Sequence, residues 1–225
     1  QALSRGEQGG LRDRGDRRLA GMRVVVDTAQ GAAYDLAGRS RDVPVYKLLG
    51  GRVRDRIPVA HSIGLIPIEK AVEEVRQVIG EGVRTIKLKV GVEPTRDIEL
   101  VRRIREAVGP KIDICADANC GYRSPGEAIQ IIREMERERL IYVEQPVAGL
   151  ERIAQVAQVV DTPIMADESA WNAHDVLEII DRKAADIVSI YTTKPGGLYR
   201  AMQVAAVAEA AGILCNVNGS IETGV

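Results

Sequence analysis

Phenylalanine is missing from this chain, and aromatic residues together make up only 3% of its 225 positions. The core must therefore be built from Ile, Val, Leu and Ala, a palette that suits parallel strands buried under helices. Cysteine is almost as scarce. Cys115, Cys120 and Cys215 are odd in number and lack metal-site spacing, which argues against a disulfide framework and makes a reducing cytoplasm the expected compartment. No apolar run approaches the ~18 residues of a membrane span, and the first residues contain no signal-peptide apolar region. Net charge is nearly absent as well. A formal value of −1 argues against a nucleic-acid or anionic-membrane surface as the main partner.

What is present is a hydrophobic fraction of 45%, enough for a soluble globular protein with a substantial core. Residues 1–20 mix Gly, Arg and Asp with few apolar positions and read as a flexible arm. Residues 21–56 read as a helix and linker, with a helical apolar pattern from Met22 to Leu36 and Gly38 as its expected stop. From residue 57 to 225 the chain settles into a repeating rhythm. Strand-like runs at 57–60, 85–88, 112–116, 141–143, 163–166, 186–190 and 213–217 alternate with helix-period segments. One such helical face carries Ala71, Val72, Val75, Val78 and Ile79, and another carries Ile98, Val101, Ile104 and Val108.

Strand starts recur roughly every 26 residues, and strict βα alternation implies parallel strands joined by right-handed crossovers. The predicted fold class is therefore α/β, a (β/α)8 TIM barrel with seven readable units, since the full fold needs ~250 residues. A doubly wound sheet is the alternative. It would carry a glycine-rich phosphate loop after its first strand, and His61-Ser62-Ile63-Gly64 is not one.

In parallel barrels chemistry sits where strands end. Lys87 and Lys89 alternate with Ile86 and Leu88 in a strand-like run, so both project from one face, with their amines ~7 Å apart. Each cation disfavours protonation of the other, one route to a lysine that works as a base near neutral pH. Further along, Asp117, Glu144 and Asp167 each follow a buried apolar run, at the ends of the third, fourth and fifth strands. Three acids there would repel one another unless a cation stood among them, and carboxylates with waters form a hard oxygen site suited to Mg²⁺ or Mn²⁺. An inert network of these acids with the two lysines is the competing reading.

Lys87-Leu88-Lys89, Asp117-Ala118-Asn119, Glu144-Gln145-Pro146 and Asp167-Glu168-Ser169, in that order and spacing, resemble the enolase superfamily, in particular the muconate-lactonizing subgroup of mandelate racemase-like enzymes. Residues 44–51 (PVYKLLGG) resemble the segment leading into that family's barrel, and Lys194-Pro195-Gly196-Gly197 resembles its strand-six turn. The likeness runs from about Met22 to the C-terminus. It implies Asp117, Glu144 and Asp167 as ligands of Mg²⁺, with Mn²⁺ as a substitute. It implies Lys89 as the acid/base and Lys87 as its electrostatic partner, acting on a small carboxylate substrate through a metal-stabilised enediolate. Asn119, Glu168, Lys194, Asn218 and Glu222 are implied as supporting or substrate-contacting residues, and a homo-oligomer is expected.

Two departures shape the expected reaction. Many members place a second lysine on strand six, where this chain has Tyr191, and mandelate-type racemases use an Asp–His pair at positions held here by Tyr191 and Asn218. A phenol near pKa ~10 can donate a proton but is a poor base, so Tyr191 is a catalytic candidate that weakens two-base racemisation. A muconate cycloisomerase-like isomerase or lyase reaction is the first expectation; epimerase, racemase or dehydratase chemistry follows. The family also places a capping domain before the barrel and an eighth unit after the seventh, and neither is readable here. A fragment, or an inactive truncated barrel serving as an assembly partner, is therefore a further expectation, and the isolated chain is not expected to be active. A Schiff-base aldolase, which would also use a barrel lysine, is the rival enzyme class. Among smaller signals, His61 reads as a solvated or structural loop residue, Asn172 as a helix cap beside His174, Gly196-Gly197 as a candidate anion cradle and Cys115 as interior packing.

Overall fold

The computed structural model describes residues 29–219; the arm at 1–20 and the candidate Glu222 lie outside them. Two helices come first, α1 (Ala29–Ser40) and the single turn α2 (Val45–Leu48). Gly38 is not the stop expected of it. The helix runs through it and ends where Asp42 takes a left-handed φ of 53°. The chain then folds back so closely that a Cβ on Gly38 would lie 2.7 Å from the Val43 carbonyl.

Seven strands follow: β1 (Ala60–Ile63), β2 (Thr85–Lys89), β3 (Asp113–Asp117), β4 (Val143–Glu144), β5 (Ile164–Ala166), β6 (Ile187–Ile190) and β7 (Leu214–Val217). They form one sheet in chain order, every pair parallel. Between them lie α3 (Ile68–Gly80), α4 (Pro94–Val108), α5 (Pro125–Met135), α6 (Leu150–Ala157), α7 (Ala173–Arg182) and α8 (Leu198–Ala210). This is the α/β plan of an incomplete TIM barrel: seven parallel strands curl in order, and among the described residues β7 does not pair with β1. No helix of the described residues is long and apolar enough to cross a membrane.

Strand alternation sorts the side chains into two layers. Ile63, Ile86, Leu88, Ile114, Ala116, Val143, Ile164, Ala166, Val188 and Ile190 point outward and join the helices' apolar faces in the main core. Cys115, Tyr142, Met165 and Ile187 form a smaller second cluster. The register sets Lys87 beside Cys115, Lys89 beside Asp117, Asp117 beside Glu144 and Glu144 beside Met165. The charged residues thus share the inner face with that second cluster, one step nearer the strands' C-terminal ends.

The helices start immediately after these ends, and their caps close the loops. Glu93 accepts from Thr95 N at 3.0 Å and Arg96 N at 2.6 Å ahead of Pro94, Ser124 caps α5 ahead of Pro125, and Asn172 forms a capping box with Asp175.

The first strand differs from the expectation at residues 57–60. Ile57 and Val59 are exposed, and pairing begins at Ala60. His61 therefore stands on β1, where Nε2 lies 2.8 Å from Glu74 Oε1 on α3, a structural contact away from the inner face.

Candidate active site

The inner face collects lysines and acids from five consecutive strand ends. Lys87 Nζ bridges two carboxylates, 2.9 Å from Asp117 Oδ2 and 2.7 Å from Glu144 Oε2. Lys89 donates to Asp117 Oδ2 and to Asn119 Oδ1, each at 2.6 Å. Asn119 carries the network onward, its Nδ2 donating to Glu168 Oε1 at 3.0 Å. On the far side Lys194 pairs with the Asp167 carboxylate and also donates to its backbone carbonyl at 2.8 Å. Backbone bonds past the strands hold these side chains level: Val90 N donates to Asp117 O at 2.9 Å and Ala118 N to Glu144 O at 3.1 Å.

Burial grades along this face. Glu144 has no exposed surface, the Asp117 side chain is 1% exposed, that of Lys87 12% and that of Lys89 30%. Lys89 is the more open of the two β2 amines. Glu144 is the costly member: both its carboxylate oxygens are buried, Oε1 has no donor, and the Lys87 ammonium on Oε2 is its one close partner. Burial first, then the charge of Asp117, push its carboxyl up to about 7 against the pull of Lys87, and Asp167 adds a further push. Burial also opposes ionisation of Asp117, but Lys87 and Lys89 hold that carboxyl below its usual range.

The expectation that paired lysines lower one another's pKa is corrected for Lys87. Burial does work against its charge, yet Glu144 and Asp117 outweigh it and hold the ammonium above the usual lysine value. Its carboxylate partners are in contact, whereas its fellow cation is two residues away.

Asp117, Glu144 and Asp167 approach from adjacent strand ends, and the ammonium groups of Lys87 and Lys194 sit on them. Among the described residues, no three His, Cys, Asp or Glu side chains stand together at metal-ligating separation. Tyr191 follows β6 half-buried, with the Lys194 ammonium 4.3 Å from its ring centre. Burial and then Asp167 push its phenol up to about 12. Asn218 Nδ2 donates to Ser189 Oγ at 2.6 Å at the edge of the same face. Gly196 and Gly197 do not form the anion cradle considered for them, because their amides donate to the Thr193 and Thr192 carbonyls at 3.2 and 2.8 Å. His174 lies on the exposed side of α7, 3.7 Å from Glu178.

The Enolase C-terminal domain-like family model matches residues 70–225. The chain belongs to this family, in the mandelate racemase/muconate lactonizing branch of the enolase superfamily. It is 31% identical over 217 residues to the N-succinyl-L-Arg/Lys racemase of Bacillus cereus, across 96% of this chain and 59% of that enzyme. To muconate cycloisomerase 1 of Rhodococcus opacus it is 35% identical over 212 residues, covering 92% of this chain and 56% of the relative. The crystal structure of a dipeptide epimerase from Enterococcus faecalis, complexed with Mg and the dipeptide L-Leu-L-Tyr, aligns with a TM-score of 0.80 at 34% identity, over 85% of this chain and 55% of that one. The chain spans a little over half the length of the curated relatives it matches.

Beyond the family's ordered motifs, the sequence reading missed Asp97. Fully buried in the first turn of α4, it accepts from Gly91 N at 2.7 Å and Val92 N at 3.2 Å, tying down the loop that follows Lys89. Arg96 beside it donates to Ile66 O at 2.9 Å and so reaches the loop after β1. The available signal was an acid in the first turn of a helix directly after a glycine loop, which reads as ordinary capping until its burial is known.

Proposed function

We propose that this chain is the barrel of a Mg²⁺-dependent enzyme that moves a proton α to a substrate carboxylate, with Lys89 as acid/base and cycloisomerase-type chemistry as the reaction. The observation that carries this reading is the convergence of Asp117, Glu144 and Asp167 at adjacent strand ends, with Glu144 fully buried, no donor on its Oε1 and only the Lys87 ammonium, at 2.7 Å, on its Oε2. Lys87 alone does not offset the burial of Glu144 and the charge of Asp117 beside it, and three carboxylates suit a hard divalent ion. Asp117, Glu144 and Asp167 would hold Mg²⁺, or Mn²⁺ in its place. When bound, the ion supplies positive charge to the substrate carboxylate as its α-proton leaves.

The chain's own residues divide the remaining work. Lys87, held protonated by its carboxylates, offers fixed positive charge and is not the base. Lys89 is the more exposed of the two β2 amines, and its bonds to Asp117 and Asn119 orient Nζ for transfer to or from a substrate carbon. Tyr191, like any phenol, is protonated near neutral pH, and burial and then Asp167 hold it higher still. It can donate a hydrogen bond but not remove a proton, which favours chemistry on the Lys89 face alone over two-base epimerisation.

The test is α-proton exchange in deuterated water with Mg²⁺, run on the complete protein against diacids and N-acyl amino acids. Lys89→Met should abolish exchange, and Tyr191→Phe should cost much less. Exchange that survives Lys89→Met removes Lys89 as the base. A loss for Tyr191→Phe as large as that for Lys89→Met would replace the one-base reading with an epimerase.

A further inference from the structure

Gln145, the residue after Glu144, is the most heavily used polar side chain near the site. It has no exposed surface, and its backbone sits at a φ of 40°, a left-handed conformation uncommon for a residue with a side chain. An amide side chain has two donor hydrogens and an oxygen that accepts twice, and here all four positions are filled. Nε2 donates to Val147 O at 3.1 Å and Ser169 Oγ at 2.9 Å. Oε1 accepts from the backbone N of Asp167 at 2.9 Å and of Ser169 at 3.1 Å. The main chain is engaged as well: Gln145 N donates to Met165 O at 2.9 Å, and Gln145 O accepts from Cys120 N at 2.8 Å.

One residue therefore joins three loops: its own after β4, the loop after β5 that carries Asp167, and the loop after β3 that follows Asn119. The bond to Asp167 N matters most, because it fixes the backbone atom from which that carboxylate hangs. Neither a methionine of similar length nor a glutamate reproduces the set. Methionine offers no acceptor of comparable strength to the two amides, and ionised glutamate offers no donor to Val147 O or Ser169 Oγ.

We infer that Gln145 is a positioning residue that fixes the Asp167 carboxylate against that of Glu144 and so sets the affinity of the pair for a divalent cation. The inference rests on the proposed function, since it treats both acids as cation ligands, but its structural half can be read separately.

Mn²⁺ binding measured from the electron-spin signal of the free ion, together with backbone hydrogen exchange, tests it on wild type, Gln145→Met and Ser169→Ala. Gln145→Met should bind Mn²⁺ about tenfold or more weakly, as for other groups that orient metal ligands. The Asp167 and Ser169 amides should exchange at least tenfold faster while those of β2 are unchanged. Ser169→Ala removes one acceptor and should show a smaller loss of affinity with the exchange of the β2 amides unchanged, a split that general destabilisation would not produce. Wild-type Mn²⁺ affinity in a folded Gln145→Met overturns the inference. If Gln145→Met does not fold, Ser169→Ala decides it: weaker binding supports the role and wild-type binding refutes it. If wild type itself takes up no Mn²⁺, the proposed function fails, and the inference is judged on the Asp167 and Ser169 amides alone, where unchanged exchange in the variants refutes it.

Discussion

Replacing Gly121 with alanine should damage the site without touching a charged residue. A Cβ at Gly121 would stand 2.1 Å from the Gly91 carbonyl oxygen and 2.7 Å from its carbon, whereas real Cβ contacts essentially never fall under 3.0 Å. The backbone dihedral of Gly121 is not in the left-handed region, so the penalty is contact alone. The loops after β2 and β3 meet here backbone to backbone, two residues beyond Lys89 and Asn119 respectively. To admit the methyl group they must part by about 1 Å, which would stretch the 2.6 Å bond from Lys89 Nζ to Asn119 Oδ1 to about 3.6 Å, beyond hydrogen-bond range. Overpacking of this kind costs about 1–3 kcal/mol, and a 1 Å misplacement near the chemistry costs on the order of 10²-fold in rate. Gly126→Ala is the matched control. It lies in the first turn of α5 with nothing within 4 Å of the added carbon, so the exchange should be neutral or stabilise by about 0.4–1 kcal/mol. Urea unfolding and α-proton exchange on the complete protein would read both effects. If Gly121→Ala matched Gly126→Ala in both assays, the claim that this contact sets the spacing of Lys89 and Asn119 would be wrong.

Glu144→Gln should lose most Mg²⁺ affinity by calorimetry while remaining folded; equal affinity in the two proteins would favour an inert barrel acting as an assembly partner. The same variant reports on pH. The Glu144 carboxyl rises from 4.5 to about 7 on folding, so its contribution to stability is fully present below 4.5 and is lost as pH climbs through about 7. In EDTA, wild type should therefore lose stability relative to Glu144→Gln between pH 5 and 8, and parallel urea curves across that range would contradict the burial argument. Asp97→Ala leaves the Gly91 and Val92 amides without their acceptor and should cost about 1–3 kcal/mol of unfolding free energy. A change within the ~0.5 kcal/mol typical of surface positions would show that loop to be held by other means.

Period alone was enough to read β2: Thr85, Lys87 and Lys89 alternate with Ile86 and Leu88, and the structure turns the first set inward and the second toward the helices. The ends of the apolar runs located Asp117 and Glu144 at strand ends, and the structure sets the two in register on neighbouring strands. The first strand was misread because Ile57 and Val59 carry strand-like side chains outside the sheet, and hydrophobicity does not reveal whether a run finds a partner. Gly38 was misread because a glycine serves equally as a helix stop and as a point of close approach.

The alternation of strands and helices and the shared face of Lys87 and Lys89 were legible in the chain's periodicity, because strand alternation and helical spacing are local properties, and the order of the motifs carried the family resemblance. Which groups neutralise one another was not local. That Glu144 is buried with Lys87 as its one close partner, that Lys87 is held protonated by acids from two other strands, and that Gln145 fills all four of its hydrogen-bond positions across separate loops depend on distances and desolvation that arise only when remote segments pack together.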